Sequence, residues 1–254
     1  MPGGIFSPSF TMECTWFENW FDSKYYHILY GNRDETEAES FLDNLLQRLK
    51  PLPDARIHDL CCGRGRYSIL LNKKGFEVAG TDLSAESIQY ASLSANPRLS
   101  FFVHDMRKNF RHNYFDFVFN LFTSFGYFNS DAEHEEVIHA VHTSLKTGGI
   151  FVLDYLNSSK TIHNLKPTEI REAEGIRFQI RKKVEQGYIL KDIQFQDKGK
   201  DYHFTERVRA FTRTDLETML SRCGFEIQEV CGNYALHPFE EQQSDRLILI
   251  ALKK

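Results

Sequence analysis

Five cysteines in 254 residues are too few and too irregularly placed for a disulfide framework or a zinc site. Cys14, Cys61, Cys62, Cys223 and Cys231 are odd in number, and two of them are adjacent. The chain also lacks an apolar run of the roughly 20 residues that a membrane span requires. Its amino terminus lacks a basic segment followed by an apolar one, so nothing points to secretion. There is no excess of basic charge: Lys+Arg 31 against Asp+Glu 35 gives 31 − 35 = −4. Bulk attraction to nucleic acid is therefore disfavoured, an argument that concerns the whole-chain field and not a local basic patch. These absences point to a cytoplasmic, reducing setting with no membrane partner and no bound metal. No internal repeat or low-complexity tract is present.

What is there centres on Arg56 to Ser84, RIHDLCCGRGRYSILLNKKGFEVAGTDLS. The pattern predicts a buried strand from Arg56 to Leu60, a turn at Cys61-Cys62-Gly63-Arg64-Gly65, and a helix from about Arg66 to Lys74. A second strand from Phe76 to Gly80 follows and ends at Asp82. Two glycines at a strand-to-helix turn let a ligand approach the backbone where a side chain would block it. An acid just past the second strand is placed to accept hydrogen bonds from both hydroxyls of a ribose. The unit is built to hold a nucleoside at the carboxyl ends of adjacent parallel strands.

These residues resemble the class I S-adenosylmethionine-dependent methyltransferases. The family's acid and GxG turn match Asp59-Leu60-Cys61-Cys62-Gly63-Arg64-Gly65, with Cys61 standing where glycine or alanine is usual. The resemblance implies S-adenosyl-L-methionine as cofactor, with the ribose on Asp82 and the adenine against Leu83. Asp105, followed by Met106, falls where the family holds the adenine amino group. Asn120 and Leu121 close the strand Phe115 to Asn120, which in the family passes the methionine portion. Tyr30 and Arg33 resemble residues that meet the cofactor's amino acid end, where a guanidinium can grip a carboxylate with two hydrogen bonds. The implied fold is α/β: a Rossmann-like, seven-stranded, mostly parallel sheet with an antiparallel last strand and helices on both faces. A nicotinamide enzyme is the competing reading of the same unit. Its third glycine is replaced here by Ser68, and the closing strands Phe225 to Val230 and Asp245 to Leu252 resemble the methyltransferase hairpin.

Three regions follow from the pattern. Residues 1–50 form an aromatic and helical cap, with a helix from about Glu35 to Leu49 that Asp34 would cap. Residues 51–157 and 210–254 form the cofactor-binding core. Residues 158–209 form a small inserted antiparallel meander of three strands, Gly175 to Lys183, Tyr188 to Gln196 and Tyr202 to Thr212, serving as lid or dimer surface. Thr212 or Thr214 would cap the helix that follows.

Methyl transfer asks for alignment more than for a catalytic triad, because the sulfonium already makes the methyl electrophilic. No catalytic residue stands out; the substrate-side candidates are Tyr26, His27, Tyr155 and His237. His58 reads as a core histidine, and Asp245 and Arg246 as edge charges. The segment Asn120-Leu121-Phe122-Thr123 lacks the Pro-Pro-aromatic run of base methylation, which disfavours a base-flipping enzyme. The expected partner is a small-molecule substrate, for a monomer or homodimer. An RNA or protein methyltransferase, or a non-catalytic cofactor-binding protein, remains the alternative.

Overall fold

Helices punctuate the first third of the chain because capping and apolar spacing agree there. A computed structural model describes residues 16–31 and 35–254. Cys14, Arg33 and Asp34 lie outside the described residues, and with them the expectations placed on Arg33 and on an Asp34 cap. Helix α1 (Trp16–Phe21) is followed by α2 (Lys24–Tyr30), whose Ser23 cap accepts from Tyr25 N at 3.2 Å. Helix α3 (Glu35–Leu49) buries Ala38, Phe41, Leu42 and Leu45 on one face.

Strand β1 (Arg56–Leu60), helix α4 (Arg66–Lys73), strand β2 (Glu77–Asp82), helix α5 (Ala85–Ala91) and strand β3 (Leu99–Val103) make two parallel crossover units. Strand β4 (Phe115–Asn120), helix α6 (Asp131–Ser144) and strand β5 (Leu145–Leu156) continue on the other side of β1. After a short helix α7 (Ser158–His163) come four antiparallel strands, β6 (Thr168–Ala173), β7 (Ile176–Glu185), β8 (Tyr188–Asp197) and β9 (Lys200–Arg209). Helix α8 (Arg213–Arg222) leads to β10 (Phe225–Cys231) and β11 (Arg246–Lys253). Thr212 caps α8 in a reciprocal pair with Asp215.

The main sheet has seven strands in the order β10-β11-β5-β4-β1-β2-β3, with β11 antiparallel to both neighbours. Every one of β1 to β5 points its carboxyl end the same way, and the order reverses between β1 and β4. That switch point opens the crevice in which doubly wound sheets hold ligands.

The inserted sheet has four strands, in the order β6-β7-β8-β9, and not three. Strand β6 is an edge strand exposed along most of its length, so it carries no apolar alternation for a pattern to detect. One face of the sheet buries Ile176, Phe178, Ile180, Ile193 and Phe195 against Trp20, Tyr25 and Leu29 of α1 and α2. The dense aromatics near the amino terminus are thus the other half of this small core. Arg209 N and Tyr155 Oη tie β9 to the main sheet, the first donating to Gly126 O at 2.8 Å and the second to Arg209 O.

Candidate active site

The glycine turn after β1 is held from below and open above. Gly63 has φ +55° and a Cβ there would meet nothing within 4 Å, which is the space a ligand needs. Gly65 at φ +82° is needed for packing, since its Cβ would come within 2.8 Å of the Phe101 ring. Asp82 accepts from Gly63 N at 2.8 Å and from Ser84 N at 2.9 Å, so the acid at the end of β2 is bonded across to the turn. Burial raises its pKa, against hydrogen bonds from the Ser84 and Gly63 amides that lower it, and the Asp22 charge raises it further. Asp59 is buried beneath the turn and accepts from Ser68 Oγ at 2.5 Å. Ser68 therefore has a use at the position where a nicotinamide site would want a third glycine. Cys61 holds φ +64° with its thiol 3.5 Å from Met106 Sδ, and burial raises the thiol pKa well above its usual value.

Leu83, Met106, Asn120 and Leu121 sit around the same carboxyl ends. Met106 and Leu121 are buried, and Leu83 packs half-buried on the core. Asn120 is fully buried; its Nδ2 donates to Leu60 O at 3.0 Å, while its Oδ1 has no partner among the described residues. Asp105 is gripped by Arg107, whose Nη2 lies 2.7 Å away, and Arg107 reaches on to Glu133 at 3.0 Å. Burial raises the Asp105 pKa but the Arg107 hydrogen bonds outweigh it, so the carboxyl sits below its usual range.

Helix α1 roofs the crevice. Phe17, Phe21 and Asp22 face Asp82, Leu83 and Ser84 across a cleft of about 260 Å³. Tyr127, in the segment after β4, meets Trp16 edge-on at 5.5 Å and Phe21 at 5.4 Å, and Phe21 meets Tyr26 at 4.9 Å. His27 lies beside Tyr26, with ring centres 5.3 Å apart. Tyr30 instead faces the inserted sheet: its hydroxyl donates to Glu206 at 2.7 Å and accepts from Lys191. Tyr155 is fully buried, its hydroxyl spent on Arg209 O, and His237 is exposed with Nδ1 3.2 Å from Asn233 Nδ2. The crevice thus gathers Asp82, Leu83, Gly63, Cys61 and Met106 with Tyr26 nearby, while Tyr30, Tyr155 and His237 are engaged elsewhere.

Arg246 is not an edge charge. Strand β11 lies inside the sheet, so Arg246 is turned inward and pairs at 2.8 Å with Asp154, which has no exposed surface. Asp154 also accepts from Phe122 N at 2.7 Å, and Arg246 Nη2 donates to Thr123 Oγ1 at 2.8 Å. Phe122 and Thr123 hold φ +62° and +58°, a left-handed pair one residue beyond β4. Sequence reasoning also missed Asp22, Phe17 and Phe21. Their sole signal was an acid set among aromatics at the end of a short helical pattern.

His58, on β1, is a core histidine as its strand suggested. It is buried with Nε2 2.8 Å from Thr81 Oγ1 and its ring stacked on Phe115. Burial, then the charges of His104 and Arg111, push its pKa down from 6.5 to about 3. Below pH 6.5 the unfolded chain takes up a proton that the folded chain refuses, so this stability is full above that pH and is lost toward pH 3. Asp59 acts with the opposite sign, its folded pKa being raised by burial from 3.8 to about 6. A comparison with His58→Gln isolates the histidine. Between about pH 7.5 and about pH 5 the wild type should lose about 2 kcal/mol more than the variant in urea unfolding. Parallel pH profiles would show that His58 is not held neutral.

Residues 57–149 match the family described as a methyltransferase domain. A protein of Bacillus subtilis (strain 168) named as a methyltransferase, YqeM, is 31% identical over 214 residues, 80% of this chain and 86% of its own length. The chain belongs to the class I S-adenosylmethionine-dependent methyltransferases. Among solved structures, a methyltransferase of that dependence from Clostridium acetobutylicum superposes with TM-score 0.76 at 20% identity, covering 92% of this chain and 98% of that one. The S-adenosylmethionine-bound amino pentose methyltransferase CalS10 from Micromonospora echinaspora gives TM-score 0.69 at 19% identity, covering 91% and 98%.

The residues of this methyltransferase fit the cofactor. The open space over Gly63, the Asp82 carboxylate at the cleft and the orphaned, buried Asn120 Oδ1 are what a nucleoside with an ammonium-bearing tail would use.

Proposed function

We propose that this methyltransferase transfers the methyl group of S-adenosyl-L-methionine to a small-molecule acceptor. The bound cofactor supplies an electrophilic methyl on a sulfonium, and the protein supplies position. Asp82 would hold the ribose, Leu83 and Met106 the adenine faces, and Gly63, Gly65 and Cys61 the path of the backbone under the tail. Asp59 would act through Ser68 to keep the turn in shape, and Asn120 and Leu121 would border the tail. Asp105 would reach the adenine amino group only with Arg107 as its neighbour. Tyr26 and His27 are the substrate-side candidates closest to the roof, Tyr155 and His237 the more distant ones. Tyr30 would act through Glu206, and Arg33, outside the described residues, would meet the cofactor's carboxylate.

The observation that carries the small-molecule reading is the roof: Trp16, Phe21, Tyr26 and Tyr127 close over the carboxyl ends of the sheet. A macromolecular acceptor needs an open approach, whereas an aromatic enclosure suits a compact one. The amino pentose acted on by CalS10 is an acceptor of that size. The test is S-adenosylhomocysteine release by purified protein against a panel of small amines, carboxylates and hydroxyl compounds, with total tRNA and a protein extract in parallel. Turnover is expected in a small-molecule well. Turnover confined to tRNA or protein would overturn the reading.

A further inference from the structure

We propose that Asp22 is a cofactor-retaining residue: its hydrogen bond to Ser84 latches helix α1 across the nucleoside cleft and sets the rate of cofactor and product exchange. The inference rests on the cofactor reading of the Asp82 cleft and adds to it a residue from outside the Rossmann-like core.

Three observations carry it. Ser84 Oγ donates to Asp22 Oδ1 while accepting from Ser87 N at 3.0 Å, and Ser84 N donates to Asp82 at 2.9 Å. One serine thus joins the cap of α5, the acid at the end of β2 and the roof. Second, the cleft between Phe17, Phe21 and Asp22 above and Asp82, Leu83 and Ser84 below has a volume of about 260 Å³. Ligand pockets run to roughly 300–1,000 Å³, so the cleft is narrow for a nucleoside, and Asp22 and Ser84 both line it. Third, α1 is packed on both the inserted sheet and the main core, and Asp22 adds a polar tie at the cleft. Toward the inserted sheet, Trp20 is fully buried, donates to Glu206 at 2.7 Å and packs on Phe204 at 4.7 Å. Toward the main core, Phe17 is buried and meets Phe128 edge-on at 6.0 Å, and at the cleft the exposed Asp22 reaches the buried Ser84 through a part-buried hydrogen bond. The helix is therefore packed on both sides, with the Asp22–Ser84 hydrogen bond as its polar tie at the cleft mouth. The roof also contains an unused donor: Trp16 Nε1 is buried and has no partner among the described residues.

Both tryptophans of the chain, Trp16 and Trp20, lie in α1, so intrinsic fluorescence reports directly on the roof. Stopped-flow mixing with S-adenosylhomocysteine should show a wild-type association slowed by opening. Asp22→Ala should release the ligand at least about tenfold faster and also bind it faster, because a charge-assisted hydrogen bond no longer holds the roof closed. Asp22→Asn keeps a neutral acceptor for the Ser84 hydroxyl and should fall between the wild type and Asp22→Ala in both rates. Rates for Asp22→Ala within twofold of the wild type would overturn the latch. So would a variant that binds more slowly without releasing faster, since Asp22 would then be a plain contact. If the wild type itself gave no signal and no calorimetric heat, the cofactor reading would fail instead.

Discussion

Replacing Arg246 with methionine should destabilise the fold by about 3–5 kcal/mol, the cost of leaving a buried carboxylate without its partner. Asp154 has no exposed surface and Arg246 little, and their 2.8 Å contact lies where the post-β4 segment crosses the sheet end. The loss reaches further than one ion pair. Asp154 holds Phe122 N at 2.7 Å, Arg246 holds Thr123 Oγ1 at 2.8 Å, and both residues sit in left-handed backbone that their side chains disfavour. For a chain of this size the shift in Tm is roughly 6–20 °C. Asp154→Asn combined with Arg246→Met should recover part of it, because no charge is then stranded. Thermal and urea unfolding of the single and double variants measure this directly. A single variant within about 1 kcal/mol of the wild type would mean that the pair is solvated and the segment holds its own conformation.

Asp82→Ala is expected to weaken S-adenosylhomocysteine about tenfold to a hundredfold. The substitution leaves two ribose hydroxyls unpaired in the complex, and a hydrogen bond to a charged group is worth roughly 1.5–3 kcal/mol. The carboxylate also accepts from Gly63 N and Ser84 N, so the turn loses its tie to β2 and some pre-organisation with it. Titration calorimetry on a variant with native circular dichroism gives the number. Affinity unchanged from the wild type would show that another acid holds the ribose.

The nucleotide-binding half of the fold was legible because its signals are local. Strand, glycine turn, helix, strand and Asp82 follow one another within a short stretch, and each element's pattern is set by its own burial. The closing hairpin was legible from two apolar runs around a turn. Strand β6 was not, because an exposed edge strand such as Thr168–Ala173 has no face to mark. The burial of Arg246 was invisible for a different reason: its partner Asp154 comes from β5, and only the insertion of β11 between β5 and β10 brings them together. The left-handed Phe122 and Thr123 run against local preference, so no reading of those residue types would find them. Asp105 shows the reverse case, an acid whose place was legible and whose neighbour Arg107 was in plain sight, but whose ion pair was not foreseen.

The position of β11 bears on how the protein is made. Both of its edges are filled, by β5 and by β10, yet it is translated after the inserted sheet and α8. A nascent chain on the ribosome therefore carries β5 with one side unpaired for the whole time that the insert is emerging. Pairings so distant in sequence form slowly, and an unpaired strand edge invites other chains. The four-stranded sheet can assemble meanwhile on α1 and α2, both already synthesised, so the roof is ready before the floor is complete.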